Sequence, residues 1–486
     1  MKKFNFEKMV DSLRLKNLDI KERSIPFGHE MVKIYYIQQL TDRTMLTESV
    51  VKPLIHYCSS NQEQKHLGAQ MTMDGIIYVD DCKLESDADK IQEIILSGMV
   101  VVVFSHDKEY IVINLKSVAH RSIPQPELTY TIRGPQDCFV ENLDANLSLV
   151  RYRMKDKNLV IKKLEVGVRS KTAVAVIYIG DIANDTVVQE IQNRIERIDI
   201  DGIGESGELQ SFLLNSKWQL FPQIGLIERS DMTFTSLLEG KVIILVDGSE
   251  LALMAPKTFS EFFYSCDDRY DGKYFTLFNR VLRYCAFILS ITGTSVFVAL
   301  TSFHTDVLPS QYVISLAQMR ASVPFTALVG ALSLEFIVEL LREALLRVPK
   351  QIGPAIGIVG AIVIGQASTS AGIFSPILLM IAAAELMASF VVPDYSLMNT
   401  FRVMKFILLL FTGLLGFFGF TIFLTFILIE LVSTDSFGTP YMAPWAPFNL
   451  YDFIRSFLYN LTIDPKRPHY LRTKDNTRTS GDKVKL

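Results

Sequence analysis

Three carboxylates fall at positions 335, 339 and 343 of a 486-residue chain, inside the otherwise apolar run from Val323 to Leu346. A spacing of four sets Glu335, Glu339 and Glu343 along one helical face, with Arg342 and Arg347 close enough to pair with some of them. An ionised group inside a membrane costs about 3 kcal/mol by the lower estimates, so such groups face protein, water or each other. Two chemistries suit the ladder. It is a cation-attracting lining of a vestibule or pore, or else a set of interhelical ion pairs or the polar face of an amphipathic helix lying at the interface. Glu385 and Glu430 are further carboxylates in apolar surroundings.

The stretch GPAIGIVGAIVIGQASTSAGIFSPILLM, residues 353–380, follows directly. Gly353, Gly357, Gly360, Ile364 and Ser368 share roughly one helical face, which suits close helix packing or a narrow passage lined by backbone and hydroxyl groups. A full span needs roughly 20 apolar residues. The run therefore reads as a short helix to Gly365, a polar turn from Gln366 to Ser370, and a complete span from about Gly372 to Val392. Broken backbone at membrane depth survives only beside protein or water. With so few helices in one chain, a passage would form on the axis of a ring of identical subunits.

Enzyme chemistry finds little support. The motif Gly202-x-Gly204-x-x-Gly207, with Glu228 further on, has the spacing of a dinucleotide fingerprint. Asp199, Asp201, Glu205 and Glu208 would crowd carboxylates around a bound pyrophosphate, with no basic residue in the loop to offset them. No GxSxG, HExxH or P-loop pattern occurs. The five cysteines lack metal-ligand spacing and read as buried thiols. No cofactor, metal or catalytic residue is expected, and a formal net charge of −3 gives no reason to expect nucleic acid.

These residues must be carried by membrane helices. Four apolar regions stand out: Tyr284 to Phe303, Val323 to Leu346, Ile352 to Val392 and Met404 to Val432. Arg280 and Arg283 before the first, Arg347 and Lys350 after the second, and a basic C-terminal tail favour one side. Four crossings with one re-entrant segment leave Arg402 and Lys405 on the wrong side, and five put the tail there. The amino terminus has no apolar core behind its basic residues, so the first half is expected to stay in the cytoplasm.

That first half repeats itself. Tyr36-Ile37, Leu40, Thr44 and Glu48 recur as Tyr178-Ile179, Ile182, Thr186 and Glu190, and Gly98 before a strand pair recurs as Gly240. Positions 36 and 178 are 142 apart. Each copy is expected to hold a strand ending at Tyr-Ile, a helix capped by Asp42 or Asn184, and a terminal hairpin. Arg133, Gly134, Pro135, Glu141 and Asn142 mark the joint as a coupling connector, where a helix follows with Phe139, Leu143, Leu147 and Val150 at helical spacing. Arg151, Arg153, Lys155, Lys157, Lys162 and Lys163 nearby read as a solvated basic face. The expected fold is an α+β cytoplasmic half of two similar α/β subdomains followed by an α-helical polytopic membrane domain of four or five spans. Its expected boundaries are 1–130, 131–158 (connector), 159–278, 279–435 (membrane) and 436–486 (tail).

Several segments are specific in combination: IRGPQDCFVENLDANLSLVRYRMK, FPQIGLIERSD, LLEGKVIILVDGS, ALTSFHTDVLP, RASVPF, ELLREALLRVPKQIG and IVGAIVIGQASTSAGIFSP. Through them the chain resembles the A subunits of spore germinant receptors, the GerA family of endospore-forming bacteria. The resemblance implies a multi-pass protein of the spore inner membrane with a two-part cytoplasmic domain. It implies action with a transporter-like B subunit that recognises the nutrient and a lipoprotein C subunit, in contact with membrane lipid. It further implies a homo-oligomeric, ligand-gated channel for monovalent cations whose opening starts germination. Gln366 and Ser368-Thr369-Ser370 depart from the acidic or aliphatic residues frequent near the family's polar break, so no ion preference carries over. An A-like protein associated with dipicolinic-acid release and a non-conducting scaffold that clusters receptor subunits are the alternative roles.

Overall fold

The computed structural model describes residues 20–27, 30–60, 67–87, 90–104, 107, 109–116, 134–214, 219–349, 352–458 and 466–478, without the side chains at 354–356, 359, 361, 363 and 364. Two compact units emerge, one of Met1–Lys217, Ile224–Pro256 and Leu461–Leu486, the other of Trp218–Gln223 and Lys257–Asn460.

The first unit holds two five-stranded antiparallel sheets. One comprises β1 (Ile20–Phe27), β2 (Glu30–Ile37), β3 (Cys82–Glu85), β4 (Val100–Phe104) and β5 (Tyr110–Ile113), ordered β1-β2-β4-β5-β3. The other comprises β6 (Leu159–Val166), β7 (Thr172–Ile179), β8 (Gly225–Ile227), β9 (Val242–Val246) and β10 (Ala252–Ala255), ordered β6-β7-β9-β10-β8. The two orders are the same. Adding 142 to the bounds of β4 and β5 returns the bounds of β9 and β10. β4 and β9 are apolar runs, branched aliphatic but for Phe104, buried at every position, as central strands covered on both faces require.

The caps repeat as well. Asp42 accepts from Thr44 N at 2.9 Å and Asn184 from Thr186 N at 3.0 Å. Gly98 and Gly240 both take positive φ, 86° and 95°, turning the chain into β4 and β9 where a side chain would be strained. Helices α1 (Lys52–Ser60) and α2 (Ile91–Leu96) belong to the first copy. The second copy has α3 (Leu143–Arg153), α4 (Asp185–Glu196), α5 (Ser206–Leu213) and α6 (Ser230–Glu239).

The expected connector helix is α3, and it is built into the second core rather than standing free. Leu143, Leu147 and Val150 pack with Leu159, Ile177 and Ile243. The basic face is also redistributed. Arg151 is buried, Arg153 is drawn inward, Lys162 pairs with Glu196 and Lys163 with Asp144.

The second unit is helical: α7 (Lys273–Ser302), α8 (Ser310–Arg320), α9 (Ala327–Arg347), α10 (Gly353–Ile362), α11 (Pro376–Ser389), α12 (Tyr395–Leu415), α13 (Phe417–Ser433) and α14 (Leu450–Leu458). Among the described residues, α7 and α12 are long and apolar enough to cross a membrane, and α11 and α13 are shorter apolar helices. The run read as one span, Met404 to Val432, is two helices. Gly416 breaks it at φ 66°, ψ −147°, a conformation reserved for glycine, and α13 folds back on α12. Phe411 stacks on Phe423 with ring centroids 5.5 Å apart, and at Gly419 any Cβ would collide with the Phe411 carbonyl.

The polar turn expected at Gln366–Ser370 is helix too. α10 continues through a π-turn at Val363–Ala367 to Ser370, where the Thr369 and Ser370 hydroxyls donate to the carbonyls of Gly365 and Gln366 at 2.8 and 2.7 Å. Local back-bonding lets these polar residues stay helical. The true turn comes at Gly372, with φ 68°. Of the cysteines, Cys285 on α7 is exposed rather than buried.

What reads as one tail from 436 divides in two. Residues 436–458 pack in the helical unit, whereas 466–478 lie on the second sheet's copy. There Arg467 donates to the Leu238 carbonyl at 2.9 Å, Lys474 N donates to the Ile182 carbonyl at 3.0 Å, and Lys474 Nζ pairs with Asp185 at 2.7 Å. A Cβ at Gly240 would stand 2.5 Å from Thr473, so this glycine also makes room for the returning chain.

Candidate functional site

The carboxylate ladder on α9 divides. Glu335 and Glu339 turn into the helical unit, and Glu343 stays outside, pairing with Arg347 at 2.7 Å. Lys405 of α12 reaches between Glu335, at 2.6 Å, and Glu385 of α11, at 3.0 Å. Both carboxylates are 1% exposed. Thr294 of α7 lies against the same pair, its hydroxyl 2.9 Å from Glu335 Oε1 and 2.6 Å from Glu385 Oε2, and its amide donates to Glu385. Gly293 admits this approach, since a Cβ there would sit 2.7 Å from Glu385 Oε1.

One turn along, Arg402 Nε donates to Glu339 at 3.0 Å. Arg342 pairs with the other oxygen of Glu339 at 3.0 Å and donates to Ser389 at 3.1 Å. Three carboxylates (Glu335, Glu339, Glu385) thus meet three cations (Lys405, Arg402, Arg342), so the cluster is formally neutral. Neutrality is what a low-dielectric bundle requires of buried charge. Glu335 and Glu339 thus both take part in interhelical ion pairs. The available signal was the pair of cations, Arg402 and Lys405, beside an apolar run.

The glycine face meets the ladder's helix at Gly360. A Cβ at Gly353, Gly357 or Gly365 would meet nothing within 4 Å, whereas at Gly360 it would stand 3.0 Å from Leu341. Gln366 is exposed and Ser368 half-buried. The Ile364 side chain lies outside the described residues.

At the expected connector, Arg133 lies outside the described residues, and Gly134 takes φ 109° beside Pro135. The Glu141 carbonyl accepts from Gly248 N at 2.7 Å, and Asn142 caps α3 by accepting from Ala145 N at 2.9 Å. The Ser148 hydroxyl donates to the Gln39 carbonyl, so α3 touches the first copy as well.

Between these residues lies a network the sequence did not reveal. Arg153 reaches both oxygens of Asp137, at 2.5 and 2.6 Å, and its Nε donates to Ser230 at 2.7 Å, while Ser230 donates to Asp137. Burial would raise the Asp137 carboxyl, but the Arg153 and Ser230 hydrogen bonds and the Arg153 charge outweigh it and hold it below its ordinary value. A depressed carboxyl contributes stability above its unfolded value, about 3.9, which is lost as pH falls through the folded value. Acid unfolding of the sheet unit, followed by circular dichroism below about pH 4, is therefore expected to be less steep in Asp137→Asn. An unchanged acid limb would remove Asp137 from this role.

The dinucleotide-like loop is filled by its own side chains. Gly204 N donates to Glu208 at 2.7 Å, where a phosphate would need it, and a Cβ at Gly202 would stand 2.8 Å from Ser170.

The family model described as "Bacillus/Clostridium GerA spore germination protein" matches residues 7–470. The chain is similar to Spore germination protein KA of Bacillus subtilis, 34% identical over 96% of this chain and 86% of the relative. It is also similar to Spore germination protein GerQA of Bacillus cereus, 33% identical over 96% and 93%, and to the uncharacterized membrane protein YfkQ of Bacillus subtilis, 30% identical over 92% and 87%. Among solved structures, the N-terminal domain of the A subunit of the Bacillus megaterium spore germinant receptor GerK3 aligns with 52% of this chain and 93% of its own, at 22% identity and a TM-score of 0.39.

Proposed function

The chain belongs to the Bacillus/Clostridium GerA family of spore germination proteins, and on that premise we propose that it is the A subunit of a nutrient-sensing germinant receptor. It acts in the spore inner membrane with a B and a C subunit, its sheet unit in the cytoplasm. Copies assemble in a ring and open a path for monovalent cations. The observation that carries the channel reading is the space beside Gly353, Gly357 and Gly365. A Cβ at Gly353, Gly357 or Gly365 would meet nothing within 4 Å among the described residues, as expected of a face completed by further copies and by an aqueous axis. Gly353, Gly357, Ile364, Gln366 and Ser368 form the lining, Gly360 packs on Leu341, and Glu343, exposed beside Arg347, acts at a vestibule. Glu335 and Glu339 act as a brace.

Six crossings suit the helices better than four or five. Residues 353–370, about 27 Å long as a helix, cross as the third. With α7, α9, α11, α12 and α13 as the others, Arg280, Arg283, Arg342, Arg347, Arg402 and Lys405 all fall toward one side, as the positive-inside rule favours. The contacts of Arg402 and Lys405 with α9 and α11 agree with that placement.

Potassium release from liposomes containing the chain with its B and C partners tests the proposal. Nutrient is expected to trigger release from the wild type, Ile364→Ala to leak without nutrient, and Gly357→Leu to block release with assembly intact. A correctly assembled complex that releases no potassium would leave the chain a scaffold and the glycines packing residues.

A further inference from the structure

Helix α14 buries its charges, with Phe453 and Phe457 half-buried beside them, and leaves apolar side chains outside. Its charged side chains point into the protein, with Asp452 3% and Arg455 8% exposed and Ser456 also buried, while Leu450, at 60%, Tyr451 and Ile454 face outward. Phe448, 65% exposed, continues the same surface. Water sorts a surface helix the opposite way, apolar face inward. A helix stable with this polarity has an apolar neighbour outside it.

Its depth can be read from α7. Arg280 donates to the Ser456 carbonyl, and Tyr284 packs on Phe457 with ring centroids 5.5 Å apart. Tyr284 begins the run without Asp, Glu, Lys or Arg, and Arg280 precedes it by four residues, about 6 Å along the axis. At thirty residues α7 is about 45 Å long, some 15 Å more than a hydrocarbon core. Its first turns therefore stand in the headgroup region. There α7 itself exposes Phe275, Phe278, Val281 and Leu282, an apolar flank at the level where α14 is anchored. Trp445, whose indole donates to Ser260 at 3.0 Å, stands at the same place and stacks edge-on against Phe453. An amphipathic tryptophan with tyrosine and phenylalanine around it is the composition of a membrane–water boundary.

We propose that α14, with Trp445 and Phe448, lies in the plane of the bilayer surface on the side of Arg280, its outward face embedded at the boundary between headgroups and acyl chains. The occupant is lipid, and the lipid exposure of Leu450, Tyr451 and Ile454 accounts for their outward turn. Buried Asp452 and Arg455 keep charge out of that boundary. This inference rests on the reading that α7 crosses a membrane, and it is independent of whether the protein conducts ions.

The chain has two tryptophans, so Trp218→Phe leaves Trp445 as the sole reporter. In proteoliposomes of the full chain, Trp445 fluorescence is expected to be quenched more by lipids brominated near the headgroup than by lipids brominated near the chain end. Phe448→Trp in a chain lacking both native tryptophans should behave alike, guarding against a reporter shielded by Ser260. Leu289→Trp, on the exposed flank of α7 deeper in the uncharged run, should show the reverse order. If Leu289→Trp senses the deep lipids while Trp445 and Phe448→Trp respond only to aqueous acrylamide, the inference fails and the span stands. If no reporter senses lipid, the span reading itself fails. Disulfide formation between copies carrying Phe448→Cys, with no lipid quenching, would assign the face to a second copy and overturn the proposal.

Discussion

Lys405→Met is expected to destabilise the helical unit by about 3–5 kcal/mol, the usual cost of removing one partner from a buried ion pair. The lysine is the cation nearest to two carboxylates that are each 1% exposed, and it joins α12 to α9 and α11. Without it, Glu335 and Glu385 face each other across Thr294 with no ammonium between them. Thermal unfolding in detergent should show the loss directly, and the variant should be depleted from membranes. The triple variant Glu335→Gln, Glu385→Gln, Lys405→Met removes both signs together and should recover most of the loss, because isosteric neutral groups avoid the desolvation cost. A single Lys405→Met as stable as the wild type would mean that this cluster is not a brace.

Arg229→Met should have an effect of similar size in the sheet unit, about 3–5 kcal/mol. Arg229 is fully buried and grips Asp231 bidentately, Nε to Oδ1 at 3.0 Å and Nη2 to Oδ2 at 2.8 Å. Its backbone bridges to Cys138, and Phe139 N donates to the Glu228 carbonyl at 2.8 Å, so the pair holds the start of α6 where the expected connector enters the second core. Hydrogen exchange is the discriminating readout. Protection should collapse at the amides of Phe139 and Ser230 well before that at β4, which belongs to the other copy. Arg229→Lys should lose less in total but still lose the two-pronged contact. Unaltered protection at Phe139 would refute the assignment.

The duplicated sheets were legible because their marks are local: a Tyr-Ile strand end, a capping Asp or Asn, and a glycine before a buried aliphatic run, all at one offset. Such features act within a few residues of themselves. The helical unit was less legible for a corresponding reason. Helical spacing told which face Glu335 and Glu339 share, but not that Lys405 and Arg402 stand opposite. The break at Gly416 lies in a run whose hydropathy never falls, since a two-helix hairpin and a single span expose the same composition. Gln366 to Ser370 misled in the other direction. Hydroxyls that bond back to the preceding turn look like a loop when only polarity is read. The network of Asp137, Arg153 and Ser230 joins residues far apart in the chain, with no periodicity to announce it.

The short segment that returns to the second sheet imposes a rule of parity. Pro256 and residues 466–478 belong to the same compact unit, held there by Arg467 on Leu238 and Lys474 on Ile182. After Pro256 the polypeptide leaves that body for the helical unit and comes back to it at Leu461. A membrane traversed in between must be traversed an even number of times, whatever the length or hydropathy of any single helix. On the proposed crossing of the membrane, a clasp of thirteen residues, 466–478, speaks for an even count, and inserting one extra hydrophobic segment after Ser433 is expected to strand that clasp on the wrong side of the bilayer.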